Sequence, residues 1–292
     1  MSTENFTEFE VKNYFEYPIL NSIISPWISI GILIIGLFGN MCSVCVFRKD
    51  SFRKKSTFIY LKYLSIIDLF VVLIGLGDFI LIYHYGFNIR KVSSRLATFL
   101  IYTLTDFSNF ILITVSIDRS FGKWSHSKNS HKVILANLIC MIVLNLHILI
   151  FFDALAESRL IHSYLKFFDS YFFWIDLIIY WLIPLISILI CSCIMIKSLF
   201  HKQIFNDAND LMTEKRITIA LIMLNCLFFC LVSPYVIIRT ANHLGIMGNL
   251  LTFNTHRIAN LISYVNYSLR FFLFIFILPQ YRKDFKELFR FF

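Results

Sequence analysis

Seven apolar segments, each long enough to cross a lipid bilayer as a helix, take up most of this sequence. A hydrocarbon core of about 30 Å is crossed by about 20 apolar residues in helical form. Within the 292 residues, these segments leave no length for a separate soluble domain. We therefore predict an all-α fold, a seven-transmembrane helix bundle in a multi-pass protein of the plasma membrane. Numbered as spans 1 to 7, the segments are predicted to be Ser25–Phe47, Thr57–Tyr83, Ser93–Phe121, Lys132–Phe152, Ser170–Leu199, Ile217–Arg239 and Leu251–Pro279.

The composition agrees with a membrane location and excludes several other classes of protein. Hydrophobic residues make up 58% of the chain and charged residues 15%, whereas soluble domains are about half apolar and about a quarter charged. Disordered chains and ordinary cytosolic enzymes are excluded on this basis. The charges that produce the net value of +9 lie in short clusters between the spans. This pattern indicates loops that face an anionic membrane leaflet, and we expect no nucleic-acid partner.

The distribution of Lys and Arg predicts the orientation of the bundle. With the N-terminus outside, 18 of the 27 Lys and Arg residues lie on the cytoplasmic side and 8 outside, while Arg270 remains within span 7. Because positive residues favour the cytoplasmic side, we predict an extracellular tail over 1–24, a transmembrane domain over 25–279 and a cytoplasmic amphipathic helix over 280–292. Asn5 begins a glycosylation sequon in the predicted outer tail.

Polar residues and prolines occur inside the spans in a characteristic order. The segments that carry this order are Gly39-Asn40 in span 1, Leu64 to Asp68 in span 2, Ser116 to Ser120 in span 3, Pro184 in span 5 and Phe228 to Tyr235 in span 6. Together they resemble the rhodopsin-like (class A) G-protein-coupled receptor family across nearly the whole chain. The short loops and Asn145-Leu146-His147 in span 4 are most similar to invertebrate FMRFamide-type neuropeptide receptors. The resemblance implies an extracellular ligand, with a neuropeptide expected, and a heterotrimeric G-protein as partner.

By this resemblance, Asp118-Arg119 corresponds to the family's Asp-Arg-Tyr motif, with Ser120 in place of the Tyr. Arg119 is then expected to pair with Asp118 in the inactive state and to face the G-protein in the active state. Glu214 stands 20 residues before Pro234, where the family has an acidic partner for the Arg on helix 6. We therefore favour an Arg119–Glu214 ion pair. The alternative is an Arg119 that simply extends to the membrane surface.

The resemblance also defines an intramembrane polar core, to which Asn40 belongs. Asp68 corresponds to a carboxylate that helps to bind sodium in the family, together with residues that match Ser108 and Asn266. An ungapped alignment places Arg270 where the family's Asn-Pro-x-x-Tyr motif has its Asn. Because an unpaired charge inside a membrane is costly, we hypothesise that Arg270 pairs with Asp68 and replaces sodium. The alternative is an Arg270 that bonds to backbone carbonyls or reaches toward the inner surface.

Further charged and aromatic residues are predicted to line a ligand pocket in the outer half of the bundle, because charges avoid lipid. A cationic, aromatic ligand such as a peptide ending in Arg-Phe-amide is one hypothesis. The alternative is that Asp176 pairs with Arg239 and neighbouring helices satisfy the rest. Pro184 and Pro234 are predicted helix kinks, with helix 6 moving about Pro234. The pocket candidates are Asp78, Tyr102, Asp106, Asp176, Trp181, Tyr235, Arg239 and Tyr264.

Several departures from the family pattern leave other functions open. Ser94 occupies the position of the first Cys of the family's extracellular disulfide, and Val232 occupies that of the helix 6 Trp. A degenerate, non-signalling receptor-like protein is therefore one alternative. A small multi-pass transporter is another, with Asp68 and Arg270 as a proton relay. Neither a catalytic motif nor a metal-ligand pattern occurs, so we expect no enzyme activity, no cofactor and no metal.

Overall fold

The computed structural model describes residues 25–53, 55–85, 89–121, 127–152, 159–201, 208–246 and 249–290. Every regular element in these ranges is helical, and seven helices are long and apolar enough to cross a membrane. The predicted all-α fold with seven candidate spans is confirmed. The predicted glycosylation site at Asn5 lies outside the described residues. Below, "inner" denotes the end of the bundle that the charge distribution predicts to be cytoplasmic, and "outer" denotes the opposite end.

The seven long helices are α1 to α7, and a short helix, α8, follows them. A single helical turn, Asp50–Arg53, precedes α2. Helix α2 consists of Ser56–Val71, a π-helical turn Val72–Leu76 and Gly77–Tyr85. Helix α5 consists of Arg159–Phe167, Phe173–Leu177 and Ile183–His201, joined by π-helical turns at Phe168–Phe172 and Ile178–Leu182. The others are α1 Ser25–Phe47, α3 Ile89–Phe121, α4 Ser127–Phe151, α6 Ala208–His243, α7 Asn249–Ile277 and α8 Pro279–Leu288.

Several helices extend beyond the spans that apolarity predicted. Helix α6 begins at Ala208 rather than Ile217, and α5 begins at Arg159 rather than Ser170. The reason is that an apolar window ends at the first polar residues, whereas backbone hydrogen bonding continues through them. The extension of α6 matters for function because it places Glu214 inside a helix.

The distortion of α5 has a visible cause at Pro184. Proline has no backbone N–H and therefore leaves the carbonyl of the residue four positions earlier, Tyr180, without its helical donor. The side-chain amide of Asn109 on α3 donates to that carbonyl at 3.1 Å, and the π-helical turn Ile178–Leu182 lies just before the proline. The predicted kink site thus coincides with a helix defect that links α5 to α3. Pro234 lies inside the continuous helix α6, and a kink there stays a prediction.

Helices α1 and α7 approach each other closely at Gly39. A Cβ atom on Gly39 would lie only 2.9 Å from the Cβ of Phe271, so a side chain at this position does not fit the present spacing. One residue later, the Asn40 amide donates to the backbone carbonyl of Tyr267 at 3.0 Å. Small residues allow helices to pack this closely in a membrane. The hydrogen bond from the Asn40 side chain then joins α1 to the backbone of α7.

Helix α8 docks against the inner end of α1. Tyr281 is fully buried, and its hydroxyl lies 2.8 Å from the Ser43 hydroxyl. Lys49, just after α1, donates to Glu287 at 2.9 Å, and this hydrogen bond raises the pKa of Lys49. Asp284 accepts from the Ser51 hydroxyl at 2.8 Å. The described helix begins at Pro279, one residue earlier than predicted, and ends at Leu288.

The close approach at Gly39 generates a prediction about stability. The substitution Gly39→Ala should lower the stability of the bundle by about 1–3 kcal/mol, because α7 must shift to admit the methyl group. Gly31→Ala on the same helix is the matched control, since a Cβ there meets no atom within 4 Å. Thermal unfolding in detergent measures both variants. Equal melting temperatures for the two variants would contradict the packing argument.

Candidate functional site

Two fully buried charged side chains form a pair at the centre of the bundle. Arg270 on α7 donates through Nη1 to Asp68 Oδ2 on α2 at 2.7 Å. The side chains of Arg270 and Asp68 are 2% and 0% exposed. Ser108 on α3 donates to the other carboxylate oxygen at 2.6 Å, and its hydroxyl accepts from Arg270 at 3.1 Å. The pair proposed from sequence is therefore present in the structure, with Ser108 as a third member.

This arrangement does not fit a sodium ion. The guanidinium occupies one oxygen of Asp68 and the Ser108 hydroxyl bonds to the other. A second cation here would place two positive charges on one buried carboxylate, where charges interact strongly. Among the residues that the structure describes, no group of three or more His, Cys, Asp or Glu side chains is placed to hold a metal ion.

The two asparagines of the predicted polar core make no hydrogen bond to the Asp68 carboxylate. Asn40 bonds instead to the Tyr267 carbonyl. Asn266 is fully buried, and neither of its polar side-chain atoms has a hydrogen-bond partner in the described part of the chain. The guanidinium carbon of Arg270 lies 5.3 Å from the centre of the Tyr267 ring, which adds a cation–π contact. The observed core thus consists of Asp68, Ser108 and Arg270, with Tyr267 beside it.

A second charged group closes the inner end between α3 and α6. Arg119 forms an ion pair with Glu214, donates to the Glu214 carbonyl at 3.0 Å and donates to the Thr218 hydroxyl at 3.2 Å. The adjacent cavity has a volume of about 30 Å³. We call this arrangement, in which Arg119 is bonded to α6, the closed inner face.

The expectation that Arg119 also pairs with Asp118 is wrong for this conformation. No ion pair joins the two side chains in the ranges that the structure describes, and Asp118 instead accepts from the Ser56 hydroxyl on α2 at 2.7 Å. The physical reason is that Arg119 finds a carboxylate, a carbonyl and a hydroxyl on α6. Its guanidinium is therefore directed toward α6, while Asp118 bonds to α2.

The sequence analysis also missed a partner of Glu214. Lys55, immediately before α2, donates to Glu214 Oε1 at 2.8 Å. No motif marks this lysine, because its contact with α6 joins positions 159 residues apart in the chain. The only sequence signal was the position of Lys55 in a cluster of basic residues. We used that cluster to predict the orientation of the bundle in the membrane.

A third charged group lies between α3, α5 and α6 in the outer half of the bundle. Arg239 donates to Asp176 Oδ2 at 2.6 Å and to the Tyr102 hydroxyl at 3.3 Å. Its guanidinium carbon lies 5.0 Å from the centre of the Phe173 ring. Of the two hypotheses for these residues, the Asp176–Arg239 pair is therefore the arrangement in the structure. Phe173 was not a candidate from sequence.

Asp106 is a second buried carboxylate near this group, and it is 1% exposed. One of its oxygens accepts from the Asn145 amide at 3.1 Å. The other has no hydrogen-bond partner within the described residues. Asp106 is within electrostatic range of both Asp176 and Arg239. Arg239 therefore pairs with Asp176, and Asp106 is a second carboxylate that interacts with this pair only at longer range.

The remaining pocket candidates contact other parts of the bundle. The Trp181 indole donates to the Ser233 hydroxyl at 3.1 Å, between α5 and α6. Tyr264 packs against Gly75 of α2. A Cβ atom added to Gly75 would lie only 2.5 Å from the Tyr264 hydroxyl oxygen, so the two residues are in close contact. The Tyr235 ring centre lies 5.4 Å from that of His256. Asp78 is buried on α2.

Seven long apolar helices, with several of the few buried charges paired between them, indicate a multi-pass membrane protein. The sequence profile described as "7 transmembrane receptor (rhodopsin family)" matches residues 39–272. The match covers most of the chain and all three charged groups. The chain therefore belongs to the rhodopsin family of seven-transmembrane receptors, which is a receptor family rather than an enzyme family. A search of curated proteins found no significant match.

The central pair generates a prediction about sodium. The melting temperature of the purified protein should be the same in sodium and potassium salts of equal ionic strength, because Arg270 already neutralises Asp68. The substitution Arg270→Asn restores the amide of the family motif and should make the melting temperature rise with sodium. Arg282→Asn, at an exposed position on α8, is the control. A sodium-dependent melting temperature of the unsubstituted protein would argue against this role of Arg270.

Proposed function

We propose that the protein is a signalling receptor of the plasma membrane that couples an extracellular ligand to a heterotrimeric G-protein. The observation that carries this proposal is the closed inner face, where Arg119 of the family motif is bound by Glu214 and Thr218 of α6. An arginine held in this way is available to a partner protein only after α6 moves. The family match supports the same conclusion.

Helix α6 provides a physical link between the two faces of the protein. It carries Arg239 in the outer half and Glu214 at the inner end, within the single helix Ala208–His243. At 1.5 Å per residue, these positions are roughly 37 Å apart. A ligand that binds the open arrangement more tightly shifts the population toward it. Displacement of Arg239 from Asp176 would bias the position of α6 and thereby the Arg119–Glu214 pair.

We propose that the ligand is a peptide with a cationic and an aromatic group. Asp176 pairs with Arg239, and Asp106 lies within electrostatic range of both, so a ligand cation would neutralise the negative charge that remains when both carboxylates are ionised. Tyr102 and Phe173 already surround Arg239, and the same rings suit an arginine or a phenylalanine of a ligand. A peptide ending in Arg-Phe-amide has both groups and lacks a terminal carboxylate that Asp176 would repel.

The coupling proposal predicts opposite effects for two variants at the inner face. Glu214→Gln removes the charge that holds Arg119 and should raise ligand-free nucleotide exchange on co-expressed G-proteins. Arg119→Ala removes the side chain that faces the G-protein and should abolish ligand-stimulated exchange. Glu287→Gln on α8 is the matched control, since Glu287 contacts Lys49 rather than Arg119. The non-signalling alternative predicts no exchange above background for any variant, including Glu214→Gln.

The ligand proposal predicts a loss of potency when the outer carboxylates are neutralised. With Phe-Met-Arg-Phe-amide as the probe, Asp176→Asn and Asp106→Asn should each reduce potency by roughly 10- to 100-fold, the loss expected for a hydrogen bond between charged groups. Asp169→Asn is the control, because Asp169 lies on the same helix as Asp176 but is exposed. Calcium and cAMP readouts measure potency. If both variants kept the potency of the unsubstituted protein, the two carboxylates would not be part of the ligand site.

A further inference from the structure

The Glu214 carboxylate is bound by two cations, one on α3 and one in the segment just before α2. Its Oε2 atom pairs with Arg119 on α3, and its Oε1 atom accepts from Lys55 at 2.8 Å. The Glu214 side chain is 32% exposed and the Lys55 side chain 49% exposed. Each carboxylate oxygen therefore has its own cation, and the group is a three-residue network rather than a single ion pair.

The backbone fixes Lys55 in a position that suits this contact. Lys55 is the residue that precedes the first turn of α2, and its carbonyl accepts from the backbone N–H of Phe58 at 3.2 Å. Its side chain makes no capping bond to its own helix and extends toward α6 instead. The next residue, Ser56, donates to Asp118 on α3. The start of α2 thus bonds to Glu214 on α6 and to Asp118 on α3.

We propose that Lys55 is a positioning residue of the closed state, which holds the inner end of α6 through Glu214 independently of Arg119. The proposal rests on the proposed function and deepens it, because Lys55 acts on the same movement of α6. Opening the inner face requires Glu214 to leave a cation on α3 and a cation at the start of α2. Loss of Arg119 alone leaves Glu214 bound to Lys55.

The first test measures the position of α6 without ligand or G-protein. Spin labels at Met212→Cys on α6 and Lys132→Cys on α4, both exposed positions, report the distance between the inner ends by double electron–electron resonance. Lys55→Gln should add a population at longer distance. Lys55→Arg, which keeps the charge, should retain the unsubstituted distribution. To give a clean background, alanine replaces the five exposed cysteines, which are Cys45, Cys140, Cys193, Cys226 and Cys230.

The matched control for this test is Arg53→Gln. Arg53 lies two residues before Lys55 and pairs with Asp50 instead of Glu214, so the variant loses the same charge from the same loop. Its distance distribution should equal that of the unsubstituted protein. If Lys55→Gln and Arg53→Gln give the same distribution, the proposed role of Lys55 is overturned, whatever the result of signalling assays.

The second test measures ligand-free nucleotide exchange on co-expressed G-proteins. Lys55→Gln should raise it by roughly 2- to 5-fold, the factor that corresponds to a partly exposed ion pair. In a Glu214→Gln background, Lys55→Gln should add nothing, because its target is absent. A structural defect at the start of α2 would instead add to the effect of Glu214→Gln, and that outcome would overturn the proposal.

The two tests separate this proposal from the proposed function. If Lys55→Gln widens the distance while no variant supports nucleotide exchange, the role of Lys55 stands and G-protein coupling fails. If Glu214→Gln raises exchange while Lys55→Gln matches the unsubstituted protein in both tests, the receptor function stands and the role of Lys55 is overturned.

Discussion

The structure depends on the requirement that a charge inside a membrane bundle meets an opposite charge. Asp68 and Arg270 satisfy this requirement at the centre, although they lie 202 positions apart in the chain. Their contact fixes which faces of α2 and α7 meet, and Ser108 adds α3 to the same point. Because Asn40 bonds to the backbone of α7, α1 is joined to this centre as well. Four helices are thus positioned around one ion pair.

The same requirement explains the connection between the two faces of the protein. Helix α6 is bound at its outer half through Arg239 to Asp176 of α5 and at its inner end through Glu214 to Arg119 and Lys55. It moves only when water, a ligand or a partner protein replaces these contacts. In the proposed function, a ligand in the outer half and a protein at the inner face would favour the same displaced position of α6, which is how a two-state receptor couples its two binding sites.

The sequence predicted the seven helices and the central pair but not every partner at the inner face. The pairing of Arg270 with Asp68 was predictable because an isolated charge there is too costly and few alternatives exist. The expected Arg119–Asp118 pair is not formed in this conformation, because near the membrane surface several polar groups compete for one guanidinium. Lys55 was missed because it is one of many basic residues at the inner end. Only its contact with Glu214 distinguishes it from the others.

What the sequence by itself determined is the number of helices and the few positions at which charge enters the bundle. The sequence determines both because a helix that crosses the lipid core needs a long apolar segment, and because an unpaired charge inside that core is costly. Only the tertiary structure decided the contacts that the sequence left open or did not indicate: Asp118 bonds to Ser56, Glu214 binds Lys55 as well as Arg119, and Asp176 pairs with Arg239. Such contacts depend on distances of a few ångströms between helices remote in sequence, and no local pattern in the chain encodes them.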